Sequence, residues 1–176
     1  GAVPRPPTAA ITQVDVDHLT ELVLKADDIA LHEAVAALRE KGASVQSVFL
    51  DLLTPVARKL GEFWTCDSCS FTDVTMAMGR LQQLLRSNSA AFGLGLRLAD
   101  DHGSQRRILL MPSPGEQHTF GLSLVAEFFY RAGWDVSTSF LQPSGPLAAL
   151  VEREWFDVVG LSLGNGILDQ RGELFV

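Results

Sequence analysis

The sequence predicts an α/β protein in two parts: an N-terminal four-helix bundle over residues 12–92, then a module built on a parallel sheet over 106–176. Three observations carry this. Apolar residues recur at helical spacing through the first half of the chain. The periodicity then fails in a stretch holding Gly93, Gly95, Asp100, Asp101, His102, Gly103 and Ser104, so 93–105 reads as a linker. Beyond it, short apolar runs alternate with helical patterns, the signature of a doubly wound parallel sheet.

The first helix spans Val14 to Lys25, with Leu19, Leu22 and Val23 as its apolar stripe. A second covers Asp27 to Lys41, turns Ile29, Leu31, Ala34, Val35 and Leu38 inward, and stops at Gly42. The third covers Val45 to Trp64 and buries Val48, Phe49, Leu52, Leu53, Val56, Leu60 and Phe63. Pro55 kinks it or lies in a first turn, after a break at Leu53-Thr54. The fourth starts near Ser70-Phe71-Thr72-Asp73, where hydroxyl and carboxylate can cap it, and runs to about Ala91. Short connections between such helices predict an antiparallel bundle. In the second half, Arg107–Met111 is strand one and Thr119–Ala132 its helix, ended by Gly133. Asp135–Phe140 is strand two, Pro146–Glu154 a short helix, and Asp157–Leu163 strand three.

Composition excludes several functions. The net charge is −7 and the basic residues are scattered, so no phosphate-tracking stripe exists and strong direct DNA binding is not expected. No apolar run approaches the roughly 20 residues of a membrane span, and the Gly1–Pro7 lead lacks a signal-peptide core; a cytoplasmic protein with no membrane partner is expected. The two cysteines, Cys66 and Cys69, lack the second Cys or His pair of a zinc site and read as loop thiols. His18 and His32 read as surface residues, and Asp100-Asp101 as a solvated pair. No nucleophile–base pair or carboxylate dyad is visible, so no turnover is expected.

The most informative stretch is Gly115-Glu116-Gln117-His118-Thr119-Phe120-Gly121, directly after strand one. The carboxyl end of a parallel strand is where ligands bind. A histidine there, with a carboxylate two residues upstream, suits metal ligation. Glu116, His118 and Gly121 resemble the Asp-x-His-x-x-Gly motif of Rossmann-like cobalamin-binding domains. Ser162-Leu163 is similar to their Ser-x-Leu element, and Trp64 stands where the family's bundle carries a cap aromatic. The segments Leu53–Gly61, Cys69–Thr75 and Gly79–Arg86 resemble the AerR/PpaA regulators, B12-dependent antirepressors of photosynthesis genes, and the related haem-binding C-terminal domain of AppA.

This resemblance implies a light-responsive regulator that acts on a transcriptional repressor protein. Cobalamin would be held with His118 beneath cobalt as the metal ligand, Glu116 on the other imidazole nitrogen, and Gly121, Ser162 and Gly164 lining the pocket for the nucleotide tail. Trp64, Val74 and Met78 would form the upper face. Photoreceptors of the CarH type carry Glu-His where this chain has Val74-Thr75, so the upper face here is apolar and the upper ligand differs from theirs. The family's module has about two further strands, and a truncated or short C-terminus is expected at Val176. The competing readings are a haem-binding redox sensor on the same scaffold and a corrinoid methyl carrier. Met76 and Met78 also fit as bundle fillers, and Trp64 as a core aromatic.

Overall fold

The computed structural model describes residues 10–90, 106–113, 116, 119–138 and 152–163. The predicted linker 93–105 with His102, most of the predicted helix 146–154, His118 and Gly164 lie outside these residues. The chain divides into two compact units, residues 1–89 and 90–176, each with its own architecture.

The helical unit contains α1 (Gln13–Lys25), α2 (Asp28–Glu40), α3 (Val45–Ser47), a π-helical segment (Val48–Leu53), α4 (Thr54–Thr65) and α5 (Phe71–Ala90). A capping box opens α1: Thr12 N–H and hydroxyl donate to Asp15 Oδ2 at 2.7 and 2.6 Å. The Asp27 carboxylate caps α2 by accepting from Ala30 N–H. Gly42, at φ +99°, makes the left-handed turn after α2 that side chains resist. The stripes predicted on α1 and the third helix pack inward, with Val23, Val48, Phe49, Leu52, Leu53, Val56 and Leu60 fully buried. Leu81, Leu84 and Leu85 of α5 join this core.

Two details correct the sequence reading. Ile29, expected inward, is 75% exposed, because Leu31, Val35 and Leu38 form the buried stripe of α2 and Ile29 lies about 200° away from Leu31 on the helix. The third helix does not break at Leu53-Thr54. Ser47, Val48, Leu53 and Thr54 all keep right-handed helical backbone, and the chain widens into a π-turn instead. Pro55 lacks an N–H, and its ring would crowd the carbonyl one α-turn back. The wider turn relieves that crowding. Thr54 completes it by donating both its N–H and its hydroxyl to the Phe49 carbonyl.

Among its described residues the second unit shows a three-stranded parallel sheet in the order β2-β1-β3, with β1 (Arg107–Pro112), β2 (Asp135–Thr138) and β3 (Val158–Ser162), and the helix α6 (Phe120–Arg131). This is the parallel α/β arrangement expected. Helix α6 packs on β1 and β2, where Ile108, Leu110 and Leu122 form a buried cluster flanked by Phe129, Trp134 and Val136. Strand β3, read from sequence as Asp157–Leu163, has Val158, Val159 and Leu161 at 38–47% exposure. The reason lies in the topology: among the described strands β3 is an edge, and α6 lies toward the other side of β1.

Arg107 closes the amino end of the sheet. Its guanidinium donates to Glu154 at 2.9 Å, Asp135 at 3.1 Å and the Trp155 carbonyl at 3.1 Å, and its N–H donates to the Asp157 carboxylate at 2.7 Å. Glu154, then Asp135, hold the guanidinium more firmly protonated than usual. One side chain thus ties β1, β2 and the approach to β3.

Candidate functional site

At the carboxyl end, β1 and β3 run in register from Ile108↔Val158 to Pro112↔Ser162. The next residue, Ser113, donates its N–H to the Ser162 carbonyl at 3.0 Å, and its own carbonyl accepts from Glu116 N–H at 2.9 Å. These two bonds hold the Glu116 backbone beside the ends of both strands. Ser113 is 7% exposed and its hydroxyl has no hydrogen-bond partner among the described residues.

An apolar cleft of about 490 Å³ opens along the same face of the sheet, between α6 and β3. Ile108 and Leu110 form its floor, Leu122, Val125 and Phe129 one wall, and Gly160 and Ser162 the other. Gly121, in the first turn of α6, also lines it and has nothing within 4 Å of where a Cβ would stand. Gly160 has a different role. A Cβ there would lie 2.6 Å from Leu110 Cδ2, so glycine lets the floor residue occupy its position. The cleft is walled almost wholly by hydrocarbon, with Ser162 as a polar group at the strand end. Such a space suits a flat, weakly polar moiety. Of the residues singled out from sequence, Gly121 and Ser162 therefore meet in one cleft, with Glu116 beside its strand end. His118 and Gly164 lie outside the described residues.

The helical unit carries a second feature. Trp64 lies in the last turn of α4, 46% exposed, and so is not a core aromatic. It meets the first residue of α5, Phe71, edge to face with ring centroids 6.4 Å apart. Phe71, Val74 and Met78 follow at i, i+3 and i+7, so they share one face of α5. Val74 and Met78 are half-buried and Phe71 is exposed. The result is an apolar stripe only partly covered by its own unit. Phe71 was not singled out as a site residue, although its spacing to Val74 and Met78 contained the signal.

The turn between α4 and α5 sets this geometry. Phe63 O accepts from Ser68 N–H at 2.8 Å and from Cys69 N–H at 3.3 Å, while Asp67 takes a left-handed φ of +53°. A Ser70/Asp73 capping box then starts α5: the Ser70 N–H and hydroxyl donate to the Asp73 carboxylate, and Asp73 N–H donates back to Ser70 Oγ. The Ser70 hydroxyl, then its N–H, hold the Asp73 carboxyl below its usual pKa. Cys66 and Cys69 are free thiols. Among the described residues no three His, Cys, Asp or Glu side chains cluster to hold a metal. His18 is exposed, and exposed His32 has Nδ1 2.7 Å from the Asp28 carbonyl.

One similarity to known proteins falls on this helical unit. Residues 16–87 match the B12 binding domain family. The matched segment runs from α1 into α5 and contains Trp64, Phe71, Val74 and Met78. The chain is also similar to a protein of Rhodobacter capsulatus described as an uncharacterized 20.5 kDa protein in the bchF-crtJ intergenic region, with 32% identity over 123 residues. That alignment covers 69% of this chain and 62% of the relative. The chain therefore spans less than two thirds of that protein's length. No helix among the described residues is long and apolar enough to cross a membrane.

Proposed function

We propose that this protein is a cobalamin-binding regulator that responds to light and acts through a transcriptional repressor of photosynthesis genes. The observation that carries the cobalamin part is the match of residues 16–87 to the B12 binding domain family. The apolar cleft and the unpaired Ser113 hydroxyl at the strand ends support it, because the first accepts a flat heterocycle and the second calls for a polar ligand atom. The regulatory part draws its support from the Rhodobacter capsulatus relative, whose gene lies between bchF and crtJ.

In this reading His118 is the cobalt ligand and Glu116 orients its imidazole, since a carboxylate on the distal nitrogen fixes the tautomer and raises ligand basicity. Gly121, Ser162 and Gly164 line the pocket for the nucleotide tail, and the walls of the cleft exclude water from it. Trp64, Phe71, Val74 and Met78 present hydrocarbon to the upper corrin face. Thr75 supplies no imidazole there; its hydroxyl donates to the Phe71 carbonyl at 2.8 Å. Bound cobalamin supplies a visible chromophore and an exchangeable upper ligand. A signal passes only if the two ligation states contact the protein differently, and the half-covered stripe is where such a difference would act. The protein is then a binding module without turnover of its own, with a repressor protein as partner.

The test is an absorption spectrum of protein mixed with hydroxocobalamin in the dark and then desalted, beside His118→Ala. Retained corrin bands, shifted from those of free cofactor and lost in the variant, are expected. Irradiation of the same sample then reads the light response. Absence of corrin together with a His118-dependent haem Soret band sinks this reading in favour of a haem sensor.

A further inference from the structure

Every backbone group of Ser113 is engaged: its N–H with Ser162, its carbonyl with Glu116. Its hydroxyl has no partner among the described residues, although the residue is 7% exposed. A buried hydroxyl without a partner is a net cost to the folded chain, and such groups are rare enough to require a reason. Local sequence supplies none. The preceding residues Ile108, Leu109, Leu110 and Met111 are all apolar and buried, and an alanine or valine would continue the run. Ser113 stands where the strand ends, on the edge at which parallel sheets bind ligands.

The chemistry of the missing partner can be narrowed. A serine hydroxyl is neutral, donates one hydrogen bond and accepts others. Strand alternation groups Ser113 with Leu109 and Met111, whereas Ser162 is paired with Pro112 and lines the cleft. A ligand lying across the carboxyl edge thus meets Ser162 from one face and Ser113 from the other. A neutral carboxamide, able both to donate and to accept, matches these requirements, and the rim of a corrin ring bears several.

We infer that the Ser113 hydroxyl is a cofactor contact that hydrogen-bonds a carboxamide arm of the corrin at the carboxyl edge of β1, an inference that rests on the cobalamin reading above. Its test compares wild type, Ser113→Ala and Ser113→Thr by titration with hydroxocobalamin and by thermal melting of each apo-protein. The alanine variant is expected to melt at or above wild type, because it removes an unpaired buried group. It should nevertheless bind about tenfold more weakly, the loss of one hydrogen bond. Threonine, which keeps the hydroxyl, should bind within about threefold of wild type. Unchanged affinity in the alanine variant overturns the inference and leaves the cobalamin reading standing. Weaker binding that merely follows a lowered melting temperature also overturns it, since the serine would then be structural. A wild type that retains no corrin removes both.

Discussion

The two units bury their hydrocarbon in different ways. In the helical unit the apolar stripes of the helices close on one another, and Phe49, Leu52, Leu53, Val56 and Leu60 have no exposed surface. In the sheet unit β1 is buried, yet β3 leaves Val158, Val159 and Leu161 more than a third exposed beside an apolar cleft. The first arrangement gives stability; the second leaves a cavity that a ligand can fill. On α4 and α5 the helical unit leaves one apolar stripe, from Trp64 and Phe71 to Met78, only partly covered. Exposed apolar surface in both units includes the places where a ligand is proposed to sit, beside isolated residues such as Ile29 in the first and Trp155 in the second.

The sharpest way to break this comparison is a matched pair of truncations. Leu52→Ala, in the closed core, is expected to cost about 2–5 kcal/mol of unfolding free energy. Leu161→Ala, on exposed β3, should cost under about 1 kcal/mol. Denaturant melts followed by circular dichroism measure both, and equal losses would refute the contrast.

Next in size is Gly160→Ala. The new methyl must displace Leu110 from the cleft floor, and overpacking of this kind costs about 1–3 kcal/mol. It should also weaken hydroxocobalamin retention, which a desalting assay reads. Retention at the wild-type level would argue that the tail lies elsewhere.

Smaller again is Ser70→Ala, which removes one half of the α5 capping box and is expected to cost about 1 kcal/mol near neutral pH. The effect depends on pH in a definite sense. The folded Asp73 pKa lies below its unfolded value, so its contribution is present above the unfolded pKa of about 4 and lost as pH falls through the folded one. The wild-type advantage should therefore shrink on acidification below about pH 4. A melting-temperature series against pH on both proteins tests this, and a constant gap contradicts it.

The smallest expected effect on stability is that of Trp64→Ala. The ring is half exposed, and its recorded aromatic contact is the edge of Phe71. The apo-protein should lose no more than about 1 kcal/mol. Bound corrin, by contrast, should show a shifted spectrum. A large loss of stability with an unchanged spectrum would return Trp64 to the role of a core residue.

Helices were legible where local chemistry decides them. The Ser70–Asp73 cap, the glycine at 42 and the i, i+3, i+4 stripes of α1 and α5 act within one or two turns, so their sequence positions suffice. The π-turn was not legible. Pro55 announces a disturbance, but whether the chain breaks, kinks or widens depends on how Phe49, Leu52 and Leu53 are held by the surrounding core. The exposure of Ile29 shows the same limit, since an apolar residue off the stripe is a partner only if a neighbouring helix reaches it. At the candidate site, Ser162 and Gly121 were legible from the resemblance of their motifs to those of cobalamin-binding domains. Phe71 and Ser113 were not, because their interest lies in exposure for the one and an unpaired buried hydroxyl for the other.

By itself the sequence determined the order of the described α-helices and strands, though not the π-turn, and the strand ends at which a ligand would be sought. These follow from periodicity and capping, which act over a few residues. Tertiary structure alone decided that β3 is an exposed edge among the described strands, that Gly160 makes room for Leu110, and that a cleft lies between α6 and β3. Those are consequences of which residues distant in sequence meet, and packing between them is settled by volume and burial across the whole unit rather than by any local pattern.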